Sequence, residues 1–231
     1  MAIITDSTSN QYDIYMLRVG QSAARAEGTL AGNEMNDSPL SERGRLDAAK
    51  AGEHLVQLLN SAKQVHIFTA DDVLRMKETT NFVAEKLKEA NIAYTRQSDS
   101  SLGGKDHGVF NGTTKEQRTQ NPELVAAKEK KKGMSAEERF KTPVEGGESK
   151  QNLVHKATEL FKKISQQRLT GPVVVVTSNN TLSALTAVLN KEEPYKSMHV
   201  GYRDVVQLQQ SAEGLKMVKI HPANVTPAET P

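Results

Sequence analysis

The chain has 231 residues and a formal net charge of +2, enough for one sizeable α/β domain but with charge too small and too evenly spread to point to nucleic acid. It contains no cysteine, which excludes disulfides, thiolate nucleophiles and thiolate metal sites. No apolar run approaches the ~18 residues of a membrane helix, so no membrane association is expected. The expected setting is intracellular and cytoplasmic, with the nucleus left open.

Residues 1–11 are polar and rich in Ser and Thr, the composition of a flexible N-terminus. The apolar run Asp13 to Leu17 reads as a buried strand that delivers Arg18, Val19 and Gly20 to its exposed end. Ligands of open α/β sheets bind at such ends. Ser41 opens a capped amphipathic helix to about Asn60, and Val65 to Thr69 is a second strand. A helix from about Val73 to Ala90 then carries Arg75 in its first turn, and Ile92 to Tyr94 forms a short third strand.

Residues 98–149 lack long apolar runs and read as an excursion flanking the ligand site, with short helices near Lys115 to Lys131 and Ser135 to Phe140. The lysine run 128–132 reads as a solvated helix end. A helix from Ser149 to about Arg168 leads through Gly171 and Pro172 to Val173 to Thr177, which is apolar almost throughout, as a central parallel strand must be. A helix to Leu189 follows, then a terminal strand pair, Val205 to Gln209 and Leu215 to Ile220. Residues 222–231 read as a flexible tail. The alternation predicts a single doubly wound α/β domain over 12–221.

Arg18, Arg75 and the Ser178 to Asn180 turn all follow strands, and neighbouring strands would bring them into one crevice suited to phosphate. The competing reading pairs each arginine with Asp71, Asp72 or Glu148. Asp71 and Asp72 would also repel phosphate.

The order of motifs resembles the histidine phosphatase superfamily, the phosphoglycerate mutase-like fold. Its opening Arg-His-Gly-Glu/Gln-Ser/Thr is matched by Arg18-Val19-Gly20-Gln21-Ser22. Asp37, Pro39, Leu40, Ser41 and Gly44 reproduce its Asp-x-Pro-Leu-Ser-x-x-Gly, and Asp71 to Thr79 is similar to the segment with its second arginine. Leu102, Gly108 and Gly112 match a further motif, with Gly104 in the place of a glutamate. Gly147-Glu148-Ser149 is kept, and Val175 to Leu185 is similar to the last motif, with Ser178 in the histidine's place.

The resemblance implies a three-layer α/β sandwich with a mostly parallel central sheet and helices on both faces. It also implies that the nucleophile falls on Val19, the second histidine on Ser178 and the acid on Gly104. Valine has no lone pair, glycine has no side chain, and a serine without a base is a poor nucleophile. The expectation is therefore a pseudoenzyme with no catalytic residue, metal or cofactor. It would act as a protein-binding or scaffold subunit of a larger assembly, with the excursion, chiefly Thr113 to Thr142, as the favoured interface. Arg18, Gln21, Arg75 and Asn180 are read as a vestigial phosphate pocket.

The alternatives are a phospho-ligand sensor, or a phosphatase or phosphomutase with an altered mechanism, using bound water and Asp106 or His107. His54, His66, His155, His199 and His221 carry no motif and read as surface or satisfied structural histidines.

Overall fold

The computed structural model describes residues 12–32, 38–59, 61–190, 195, 196, 198–211 and 214–223. The expected flexible N-terminus at 1–11, Asp37, and the tail beyond 223 lie outside the described residues.

The chain runs β1 (Asp13–Arg18), α1 (Ala23–Ala26), α2 (Glu42–Leu59), β2 (Gln64–Thr69), α3 (Leu74–Glu89) and β3 (Ala93–Ser98). The excursion follows with α4 (Gln117–Gln120), α5 (Pro122–Glu129) and α6 (Ala136–Lys141), together with 3-10 turns at Ser100–Leu102 and Gly108–Phe110. Then come α7 (Lys150–Ser165), β4 (Val173–Thr177), α8 (Asn179–Leu189), β5 (Val205–Ser211) and β6 (Gly214–His221).

The sheet order is β3-β2-β4-β1-β5-β6. β1 to β4 pair in parallel, while β5 and β6 add an antiparallel edge beside β1. Alternation along the central strands sorts side chains to two faces. Ile14, Met16, Val173 and Val175 pack with Ala157, Leu160 and Phe161 of α7 and with Leu182 and Leu185 of α8. Tyr15, Leu17, Val174 and Val176 pack with Ala51 and Leu55 of α2 and with Val83 and Leu87 of α3. This is the three-layer α/β architecture the motif order implies.

Two boundaries differ from expectation. β3 continues past Tyr94 to Ser98, paired residue for residue with β2. An edge strand needs no apolar face toward solvent, so its polar half gives no hydrophobic signal. α7 stops at Ser165 rather than Arg168, where the Gln166 amide turns back to the carbonyls of Lys162 and Ile164.

The excursion is anchored at both ends. Leu30 exchanges backbone hydrogen bonds with Thr113 and Gly112, and Arg118 reaches the Gly28 carbonyl at 3.2 Å. Phe140 packs against Leu153, Ala184 and Tyr195.

Candidate functional site

The C-terminal ends of β1 and β4, the N-terminal turn of α3 and the start of the excursion converge on one open cavity of about 180 Å³. Arg18, Val19, Gly20 and Gln21 reach it from β1, because a parallel strand feeding a helix leaves its last residues at the crevice. The Arg18 guanidinium donates to the Val200 carbonyl at 2.8 Å and lies 3.8 Å over the Tyr202 ring. Arg18 is thus clamped by the segment leading into β5.

Val19 is 8% exposed and belongs to the core, so its side chain forms apolar wall. Gly20 must be glycine for lack of space: a Cβ there would lie 2.6 Å from the Gly44 carbonyl oxygen. That close approach seats the N-terminus of α2 under the β1 turn, with Ser41 Oγ accepting the Gly44 amide at 3.0 Å as a helix cap. Ser41 Oγ also lies 3.2 Å from Gln21 Oε1, which fixes the Gln21 side chain at the cavity edge.

Arg75, on the first turn of α3, is 6% exposed and lines the same cavity. Burial pulls both Arg18 and Arg75 below the ordinary guanidinium range, although arginine stays charged in proteins. Two of the three acids expected to pair with the arginines have other partners. Asp71 accepts from Arg96 on the extended part of β3, with Nε at 3.1 Å, and Glu148 pairs with Lys156. Neither Asp71 nor Asp72 is among the lining residues, so the expected repulsion of phosphate by that pair is not built into the cavity wall.

Ser178 is 7% exposed and caps α8. Its Oγ accepts the Thr181 amide at 3.2 Å, which engages a lone pair in holding the helix. Asn179 and Asn180 follow on the cavity side, where the positive end of the α8 dipole lies.

The excursion contributes Gly104, Lys105 and His107. Their loop is pinned from behind by Glu148, which accepts the Asp106 amide at 2.9 Å while its own amide donates to the Asp106 carbonyl at 2.9 Å. Gly108, at φ 55°, faces the carbonyl of Glu145 so closely that a side chain would collide with it. The Gly147-Glu148-Ser149 segment therefore acts as a lock for residues 104–108, while Ser149 caps α7.

Burial and the nearby charge of Lys105 bring the His107 pKa down to about 4, so the imidazole is neutral at physiological pH. Its Nε2 lies 3.4 Å from the Asn180 amide nitrogen. Of the histidines set aside in the sequence, His54 meets the Arg203 carbonyl at 3.0 Å and His221 meets Gln207 Oε1 at 2.8 Å. His66 is satisfied on one side only: Nδ1 meets Thr95 Oγ1 at 2.8 Å, and Nε2 is buried without a partner.

The structure thus brings together Arg18, Gln21, Arg75, Asn180, Val19, Gly104 and Ser178 in one wall. Sequence reasoning missed Arg25, Lys105 and Tyr202, which line it as well. Arg25 and Lys105 stand within a few residues of quoted motifs and were legible as neighbouring cations. Tyr202 arrives through the antiparallel return of β5 beside β1, for which no local signal exists. Arg18, Arg25, Arg75 and Lys105 make the wall cationic, and among the described residues no Asp or Glu lines it. Among the described residues no group of His, Asp and Glu could hold a metal ion, and no helix is long and apolar enough to cross a membrane.

The model of the histidine phosphatase superfamily (branch 1) matches residues 14–221. The chain belongs to the histidine phosphatase superfamily. No curated protein matches it. Among solved histidine-phosphatase-like folds, a mycobacterial glucosyl-3-phosphoglycerate phosphatase is 21% identical, covering 93% of this chain and 100% of that one, with a TM-score of 0.68. YhfR of Bacillus stearothermophilus is 22% identical over 93% of this chain and 98% of its own, with a TM-score of 0.69. A protein described as mycobacterial hydrolase 1 is 21% identical over 94% and 100%, with a TM-score of 0.67. At these identities the likeness is one of fold.

Proposed function

We propose that this member of the histidine phosphatase superfamily is a pseudophosphatase, a binding protein that does not transfer phosphoryl groups. It serves as a protein-binding or scaffold subunit of a larger assembly. The observation that carries the reading is Val19. It stands on the cavity wall between Arg18 and Gly20, where the superfamily's attacking histidine belongs, and its apolar side chain is packed into the core. Two further features support it. Ser178 Oγ is engaged as the α8 cap, and Gly104 offers no acid to protonate a leaving oxygen.

A second reading, retained binding of a phosphorylated ligand, is favoured by the open cavity with its half-buried Arg18, its buried Arg75 and no acidic residue among the described residues of its wall. It is compatible with the first, since a subunit without turnover still reads a ligand.

Incubation of the purified protein with p-nitrophenyl phosphate tests the central claim, with no turnover expected above that of the Arg18→Ala variant. Turnover lost in Arg18→Ala would overturn it. If that turnover were also lost in His107→Gln, the altered mechanism with His107 as base would take its place. The scaffold role is tested by pull-down with the purified full chain from its native source, followed by reconstitution with purified candidate partners. A stable stoichiometric complex is expected.

A further inference from the structure

The Arg18 guanidinium is oriented by residues 200–204, the strap that leads into β5. The Val200 carbonyl fixes one N–H, and the Tyr202 ring fixes the plane. Val200 is buried in the core, so its carbonyl is a firm point. Tyr202 is only half-buried, and the groups that hold its ring in place act on the next residue, Arg203.

Arg203 is pinned at both ends by α2. Its Nε donates to Asp47 Oδ1 at 2.7 Å, with the two side chains 12% and 5% exposed, and its carbonyl meets His54 Nδ1 at 3.0 Å. Asp47 and His54 stand two turns apart on one face of α2, so they grip the strap along the helix axis. On the other side of Tyr202, the Gly201 amide donates to Asp204 Oδ2 at 2.7 Å, which closes the strap into a tight turn. Asp47 and Arg203 do not line the cavity themselves.

Asp47 is the only buried carboxylate among the described residues, and it also accepts from Arg43 at 3.3 Å. Taking an ion pair out of water costs about as much as its attraction returns, so such a pair is a weak source of stability. What the Asp47 pair does supply is a single position for Arg203, and with it for the ring one residue away.

We infer that the buried Asp47–Arg203 pair is a positioning device for the anion site: acting through Tyr202, it sets the plane of the Arg18 guanidinium that meets a phosphoryl group. The inference rests on the phospho-ligand reading above and adds to it two residues outside the cavity that govern its affinity.

Proton–nitrogen NMR of the full chain reads the positioning directly. The Arg18 Nε–H signal, identified by its loss in Arg18→Lys, is expected upfield of the other arginines because the Tyr202 ring shields it. Asp47→Asn is expected to return that signal to the ordinary arginine range while the backbone spectrum stays that of a folded protein. Arg203→Gln, which leaves Asp47 paired with Arg43, is expected to do the same and keeps the test open if Asp47→Asn does not fold. In calorimetry with propyl phosphate at 0.15 M salt, each variant is expected to bind about tenfold more weakly than the unsubstituted protein. Asp47→Asn added to Tyr202→Leu is expected to bind no more weakly than Tyr202→Leu alone, because both changes act through one ring.

An Arg18 signal unmoved in the two variants, or an unchanged affinity, overturns the inference while sparing the phospho-ligand reading. Losses from Asp47→Asn and Tyr202→Leu that simply add overturn it as well, since Asp47 would then act by another route. Failure of propyl phosphate to bind the unsubstituted protein at millimolar concentration removes both readings.

Discussion

Gly20 and Gly44 meet backbone to backbone: a Cβ on Gly20 would sit 2.6 Å from the Gly44 carbonyl oxygen, and a Cβ on Gly44 would run into the Gln21 carbonyl. Gly44 lies inside α2, where alanine ordinarily stabilises a helix by up to about 1 kcal/mol. Here the collision is with backbone, which has no rotamer to give. Gly44→Ala is therefore expected to destabilise the fold by about 1 to 3 kcal/mol, read as a lowered urea midpoint at unchanged slope. A raised midpoint would show that the two turns are not in contact.

The lock on the excursion loop gives a second expectation. Glu148 accepts the Asp106 amide and pairs with Lys156, so Glu148→Ala removes hydrogen bonds to a charged acceptor, worth about 1.5 to 3 kcal/mol each. Amide exchange at 106–111 should speed up far more than exchange in β4. Uniform acceleration across the protein would mean that Glu148 supports the whole fold rather than this loop.

His107 predicts a pH dependence. Its folded-state pKa of about 4 lies below the ordinary 6.5, so the unfolded chain takes up the proton first. The contribution of neutral His107 is fully present above pH 6.5 and is lost as pH falls toward about 4. A loss on the order of 1 to 2 kcal/mol is expected between pH 7 and pH 5, allowing for partial solvent exposure. Denaturant titrations should show a shallower pH slope in His107→Gln than in the unsubstituted protein. Equal slopes would assign the dependence to other groups.

Restoring the missing groups tests whether the scaffold still supports the reaction. Val19→His, Gly104→Glu and Ser178→His together should raise p-nitrophenyl phosphate turnover at least tenfold over the starting protein. The Ser178 change also removes a helix cap, at about 1 kcal/mol, so the variant should melt lower. No gain in a folded triple variant would show that the cavity has drifted from the geometry the reaction needs.

The elements and their order were legible because their signals are local: the valine run of β4, the Ser149 cap and the β1 turn each identify themselves within a few residues. What failed depended on a distant partner. Asp71 looked like a charge facing the cavity, but Arg96 claims it, and Arg96 is within reach only because β3 continues through four polar edge residues that carry no apolar pattern. Tyr202 was equally unreadable, since its place over Arg18 is set by how β5 returns beside β1. Gly108 and Gly147 stood out as motif glycines, yet only the fold reveals that they touch each other.

The stacking of Tyr202 on Arg18 has an optical consequence. The chain has no tryptophan and five tyrosines, and Tyr202 is the only tyrosine among the residues lining the cavity. A ligand that draws the Arg18 guanidinium toward itself changes the environment of that one ring. Tyrosine emission, undisturbed by tryptophan, can therefore follow binding in the unlabelled protein, and Tyr202→Phe should silence the change while the affinity persists.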